Sequence, residues 1–209
     1  MKFHKLDSYY IVTDIKEHKE LKNNLLKYIK EMPQSNIDDG YVVVSKTDWN
    51  IPSDYKRDYI NLFFNIIKPY MEEMACKLKF TGWKIINTWY QVYNKGDKHD
   101  WHIHLGTTYA NVYYISLPNK SLSTQLYDPM NDRVIKNIKV KEGQLLTFPA
   151  HIIHRSPVNN HDNQKVIISF NSNFNCIKEF IDIDAEIDTE VDRPVPSHIY
   201  IHIIYIHTI

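Results

Sequence analysis

The chain has 209 residues, 43% hydrophobic and 13% aromatic, with 25 basic side chains set against 25 acidic ones. That length suits one domain with a substantial core. The charge balance argues against a nucleic-acid ligand, because no surplus of Lys and Arg exists to displace phosphate counterions. No apolar run is long enough to span a bilayer, and the opening residues lack a signal-peptide pattern. Two cysteines, Cys76 and Cys176, make no disulfide framework and fit a reducing, cytoplasmic interior.

In chain order, Tyr9–Val12 reads as a short strand. Ile15, Leu21, Leu25, Leu26 and Ile29 mark one face at helical spacing, which Pro33 ends. Tyr41–Val44 is a β-branched run and a predicted strand. A second helix is predicted after Ser53, with Ser53 and Asp54 as caps and an apolar stripe of Tyr59, Leu62, Phe63, Ile66, Ile67, Tyr70, Met71 and Met74. That stripe reads as core packing.

After Gly82 the character turns to β. Lys84–Tyr93, Ala110–Ser116, Ile135–Val140, Gln144–Phe148 and Lys165–Phe170 are rich in Ile, Val, Tyr and Thr, with turn residues between them. Short strands at this spacing predict a mainly β sandwich or jelly roll with the helices packed outside. From Ile181 to Asp192 apolar and acidic residues alternate, predicting an extended edge or arm. The closing HIYIHIIYIHTI is β-prone and hazardous unless paired. The expected organisation is a support region over 1–80, a β core over 81–176 and a C-terminal arm over 177–209.

Five glycines, no two closer than ten residues, exclude a phosphate loop or a dinucleotide fingerprint. Histidine, at eleven copies, is the enriched chemical resource. His102 and His104 stand two apart, so a strand would present both imidazoles to one side. A third metal ligand must then come from elsewhere, and the segment Phe148–Pro157 offers His154. His151, three residues earlier, would face away on a regular strand. His4, His18 and His161 read as surface or structural residues, and His99 as a loop residue near the site. His198 and His202 lie too far apart on an extended segment to share an ion. In Lys165–Asn171, parity puts Lys165, Ile167, Ser169 and Asn171 on one face, where a lysine could bind a carboxylate within a polar pocket.

These motifs occur in the order His102-Ile103-His104, Gly106-Thr107-Thr108, Val112-Tyr113-Tyr114, Gly143 to Pro149, His154 and Lys165 to Asn171. In that order and spacing the chain resembles the iron(II)/2-oxoglutarate-dependent oxygenases, in particular a group with an H-x-H motif found in marine bacteria and their phages. The resemblance covers roughly residues 84–175 and implies a double-stranded β-helix as the catalytic core. It implies Fe(II) on His102, His104 and His154, with 2-oxoglutarate as cosubstrate. Lys165, eleven residues past His154, matches the basic residue that takes the far carboxylate. Tyr93 and Gln91 match cosubstrate contacts, and Tyr113, Asn111 and Asn171 are further candidates.

The resemblance implies hydroxylation of a small-molecule or peptide substrate, a homodimer as one option through the first helices, and a host cytoplasm if the source is viral. One departure stands out. The superfamily's second ligand is normally Asp or Glu, whereas this chain has His104 there. Asp100 is the carboxylate alternative. Three histidines also suit a thiol-type dioxygenase that uses no 2-oxoglutarate, and a non-enzymatic metal-binding jelly roll is the third option.

Overall fold

The computed structural model describes residues 8–129, 131–136 and 138–175. The alternating acidic arm, the closing apolar run with His198 and His202, Cys176 and His4 lie outside the described residues. In chain order the elements are β1 (Ile11–Asp14), α1 (His18–Glu31), β2 (Ile37–Asp38), β3 (Val42–Val44), β4 (Lys46–Thr47), α2 (Asp58–Lys77) and β5 (Gly82–Tyr93). They continue with β6 (Lys98–His102), β7 (Tyr109–Ser116), β8 (Gln125–Asp128), β9 (Arg133–Ile135), β10 (Gln144–Pro149), β11 (His154–Ser156) and β12 (Lys165–Asn175).

Two six-stranded antiparallel sheets result, in the orders β1-β10-β7-β12-β5-β4 and β2-β3-β6-β11-β8-β9. This is the predicted jelly roll, a double-stranded β-helix with two helices outside. The first eighty residues supply both helices and also four short strands, two to each sheet.

Alternation along the first sheet divides its side chains between two cores. Outward residues Tyr90, Val92, Tyr113, Ile168 and Phe170 meet Leu21, Leu25 and Ile29 of α1 and Tyr59, Phe63, Ile67 and Met71 of α2. Each such fully buried apolar side chain contributes about 1.5–3 kcal/mol. Inward residues Tyr93, Val112, Tyr114, Leu146 and Phe148 form a second core with Leu126 and Val44. Met32 closes α1 in an extended conformation just ahead of Pro33, where proline disfavours a further helical residue.

Three expectations are corrected here. Helix α2 begins at Asp58, and its N-terminal residue Arg57 makes no capping bond. Arg57 instead donates to the carbonyls of Ile51, Ser53 and Tyr55 and pairs with the buried carboxylate of Asp48 at 2.9 Å. These bonds hold residues 51–57 in a turn, so Ser53 and Asp54 cap nothing. The strand expected over Ile135–Val140 is only Arg133–Ile135, and the strand expected over Tyr9–Val12 runs Ile11–Asp14 in register with β10. Among the described residues no helix is long and apolar enough to cross a membrane.

Candidate metal centre

Strand β6 carries His102 at its end, and β11 opens with His154 directly opposite it. His104 follows just beyond β6, where its backbone N–H donates to Ala150 O at 3.0 Å. The next turn is tied down by Thr107 and Thr108, whose hydroxyls donate to Ser172 O at 3.0 Å. Three histidines from two strands and one loop therefore meet. Their ring centroids are 5.3, 4.1 and 4.9 Å apart, and one nitrogen of each lies within 4.8 Å of the others.

The other nitrogen of each ring fixes its tautomer. His102 Nδ1–H donates to Asp100 O at 2.7 Å, and His154 Nδ1–H donates to Ile152 O at 2.8 Å. His104 Nδ1–H donates to Asn171 Oδ1. Each Nδ1 meets an acceptor and so keeps its proton, which leaves the lone pair on Nε2. That is how histidine ligands of metal ions are oriented.

Burial also keeps the rings neutral. Desolvation, and then the neighbouring His104, pushes His102 down to about 3. Burial likewise lowers His104, and it holds His154 well below the ordinary histidine value. Neutral imidazoles with free Nε2 lone pairs suit Zn, Cu, Fe or Ni, so the donor set fits a transition metal. Asp100 is not part of it: its carboxylate bonds Lys98 Nζ at 3.3 Å and its neighbour's N–H. Its contribution is the carbonyl that orients His102.

The triad lines a cleft of ≈ 370 Å³ together with Trp89, Gln91 and Tyr93 of β5 and Ser156 of β11. Deeper along the same wall, Lys165 is 1% exposed. Its ammonium donates to Ser156 Oγ at 2.8 Å and lies 5.0 Å from the Tyr93 ring centre. Burial pushes Lys165 down to about 7. The Tyr93 hydroxyl bonds the same serine, and burial raises its pKa. Lys165 makes no ion pair among the described residues. A buried ammonium beside hydroxyls, with no carboxylate paired to it among the described residues, is a recess for an external anion.

The structure thus brings His102, His104, His154, Tyr93 and Gln91 to one cleft, and sets Lys165 behind it on Ser156 of the lining. Asn171 reaches it as the acceptor that holds His104. Asn111 lines the cleft as well, whereas Tyr113 does not reach it. Tyr113 shares the helix-facing side of β7, where its ring lies 5.2 Å from that of Phe63 and its hydroxyl bonds His18 Nδ1 at 2.7 Å. Asn111 borders the cleft, but its amide is engaged by Phe170 O, Ser172 Oγ and Thr147 Oγ1. Residue parity relates these two to each other without telling which side of the sheet they take.

His99, expected as a loop residue near the site, does lie there, but on strand β6. Between the pairs His154–His102 and Ser156–His99 the register slips, three residues of β6 spanning two of β11. That bulge turns both His99 and His102 inward. His99 is 5% exposed and stacks on the His102 ring, centroids 3.8 Å apart and planes within 6°. Gln91 Nε2 lies 3.5 Å from its Nδ1, and Trp49 covers it at 5.7 Å. A histidine three residues after the turn at Gly96 gives no sign of a bulge, so only the folded strand discloses it. His151 is exposed and outside the triad, as expected.

No protein-family model and no curated protein matches the chain. Solved structures with the same fold include the viral collagen prolyl hydroxylase of Paramecium Bursaria Chlorella virus-1 in its 2OG complex. It is 16% identical with a TM-score of 0.52, over 78% of this chain and 95% of that one. A prolyl-4-hydroxylase of Pseudomonas putida is 8% identical with a TM-score of 0.56, over 78% and 91%. The non-heme alpha ketoglutarate dependent epimerase SnoN from nogalamycin biosynthesis is 12% identical with a TM-score of 0.60, over 79% and 77%. The chain therefore has the double-stranded β-helix fold of the 2OG-Fe(II) oxygenases.

Proposed function

We propose that this chain is a non-haem iron(II) oxygenase that consumes 2-oxoglutarate and hydroxylates a C–H bond of a small-molecule or peptide substrate. His102, His104 and His154 would hold the metal through their Nε2 atoms. Iron and cosubstrate together supply the activation of dioxygen and the oxidising equivalent delivered to the substrate. The chain's own part is to position and to exclude. Asp100 O, Ile152 O and Asn171 Oδ1 hold the three rings in one tautomer. Trp49 and Trp89, stacked with centroids 5.8 Å apart, wall the cleft beside His99 and His104.

Lys165 is the observation that carries this reading. A lone buried ammonium with one neutral hydrogen-bond partner is costly, and the far carboxylate of a dicarboxylic acid relieves that cost. The charge-assisted bond formed is worth about 1.5–3 kcal/mol. It selects a dicarboxylate over a monocarboxylate and keeps the proton on Nζ at and above neutral pH, where burial otherwise strips it.

The second reading, a three-histidine dioxygenase that needs no 2-oxoglutarate, is favoured by the missing carboxylate ligand. Oxygen uptake and succinate formation separate the two. The first reading expects uptake that depends on 2-oxoglutarate and is matched by succinate. It also expects Lys165→Met to weaken anaerobic 2-oxoglutarate binding by roughly ten- to hundredfold. Oxygen uptake indifferent to 2-oxoglutarate, or binding indifferent to Lys165→Met, overturns it.

A further inference from the structure

Four histidines line the triad cleft, and three of them form the candidate ligand set. The fourth, His99, has no part in that set, and the orientation of its ring says why. An imidazole lone pair lies in the plane of its ring. The rings of His99 and His102 are within 6° of parallel, with centroids 3.8 Å apart. An ion held in the plane of His102 therefore sits off the plane of His99, which cannot share it.

The ladder between β6 and β11 gives His99 a different place. His102 pairs with His154 at the triad, and His99 pairs with Ser156, whose hydroxyl meets Lys165 Nζ at 2.8 Å. One rung belongs to the metal and the next to the buried ammonium. His99 thus flanks the path between them, which a dicarboxylate bound at both ends has to follow.

The two nitrogens of the ring are unequally served. Gln91 Nε2 lies 3.5 Å from Nδ1, so Nδ1 accepts and the ring proton is on Nε2. Trp49 covers the ring at 5.7 Å, and Val42 is its neighbour across the ladder on β3. Among the described residues Nε2 has no partner, yet it is not one of the orphaned polar atoms sealed in protein, as Trp89 Nε1 in the same wall is. His99 is only 5% exposed, so the opening left to Nε2 is the cleft that it lines. A donor so far withdrawn from water is costly while unmatched, and an acceptor brought into the cleft matches it.

We infer that His99 is a cosubstrate-binding residue, whose Nε2–H donates to the carboxylate at the metal end of a 2-oxo acid while Lys165 takes the carboxylate at the other end. That carboxylate has an oxygen to spare, because one is enough to meet the metal. Stacking on His102 fixes the plane from which the hydrogen bond is made, so the near end of the cosubstrate is oriented relative to a ligand ring. Lys165 selects for the second carboxylate, and His99 orients the first. The inference rests on the proposed 2-oxoglutarate site and adds a residue to it.

The test compares the full chain with His99→Phe, both loaded anaerobically with iron(II). Phenylalanine keeps an aromatic ring against His102 and removes the N–H. Metal affinity should stay within about twofold, whereas 2-oxoglutarate should bind roughly ten- to hundredfold more weakly, as for one lost bond to a charged group. Infrared difference spectra at saturating 2-oxoglutarate, labelled with carbon-13 at C1 or at C5, then locate the lost bond. His99→Phe should shift the C1 carboxylate stretch and leave the C5 stretch in place, and Lys165→Met should do the reverse. His99→Leu serves the same comparison if the phenyl ring does not fit. Equal 2-oxoglutarate affinity, an unmoved C1 stretch, or a loss of metal affinity as large as the loss of cosubstrate affinity overturns the role of His99 and leaves the proposed site standing. A natural chain that holds iron(II) but binds no 2-oxoglutarate overturns the cosubstrate reading and this inference together, so the two failures read differently.

Discussion

Strands β5 and β12 present two unlike faces to the molecule, and the contrast separates what holds the fold from what the fold is for. Outward, Tyr90, Val92, Val166, Ile168 and Phe170 lie against the helices in nearly continuous hydrocarbon. Inward, the same strands place Trp89, Gln91, Tyr93, Lys165, Ser169 and Asn171 in or beside the triad cleft. A core of this size has no need of a buried lysine or of four clustered histidines. Each costs desolvation that an apolar side chain would not. The outer face stabilises, and the inner face gives up stability for a site.

Substitutions on the two faces should therefore move different observables. Phe63→Ala, on the outer core, should cost about 3–5 kcal/mol in urea unfolding and leave the metal stoichiometry of the folded fraction unchanged. Asn171→Leu, on the inner face, should weaken metal binding by about 10–100-fold through loss of the His104 acceptor, with a small stability change. Lys165→Met should do what no outer-face truncation does and stabilise the metal-free protein, by about 1–4 kcal/mol, since it replaces a buried charge with hydrocarbon. Tyr113→Phe, which removes only the bond to His18, should cost about 1 kcal/mol and change neither metal nor cosubstrate binding.

The inner face also sets a pH dependence. His102 and His154 titrate below the ordinary histidine value of 6.5 in the folded chain, His102 at about 3. The unfolded chain then binds more protons below pH 6.5, so stability of the metal-free protein should fall as pH drops through and below that value. Lys165, lowered to about 7 from 10.5, acts in the same direction between those values, with stability rising as pH rises. Urea midpoints of metal-free protein measured from pH 5 to 9 should climb, and Lys165→Met should flatten only the part above about pH 7. A midpoint that fell across this range would mean the inner groups are solvated.

Much of this site was legible before folding. Period two along Lys165–Asn171 placed Lys165, Ser169 and Asn171 on one face, and H-x-H with a later histidine pointed to the triad. Both are local patterns that a strand preserves. What stayed hidden depends on contacts distant in sequence. The bulge that turns His99 inward arises from pairing with β11. The late start of α2 follows from Arg57 reaching the buried Asp48. Which side of β7 holds Tyr113 is decided by the helices that cover it. The two-residue strands β2 and β4 exist only through their partners β3 and β5.

The most direct measurement is X-ray absorption on the full chain loaded anaerobically with one equivalent of iron(II), compared with His154→Ala treated the same way. Convergence of His102, His104 and His154 predicts scattering from three imidazoles in the natural chain, and fewer imidazoles with weaker metal retention in the variant. Iron without imidazole scattering, or the same spectrum from both proteins, would contradict it.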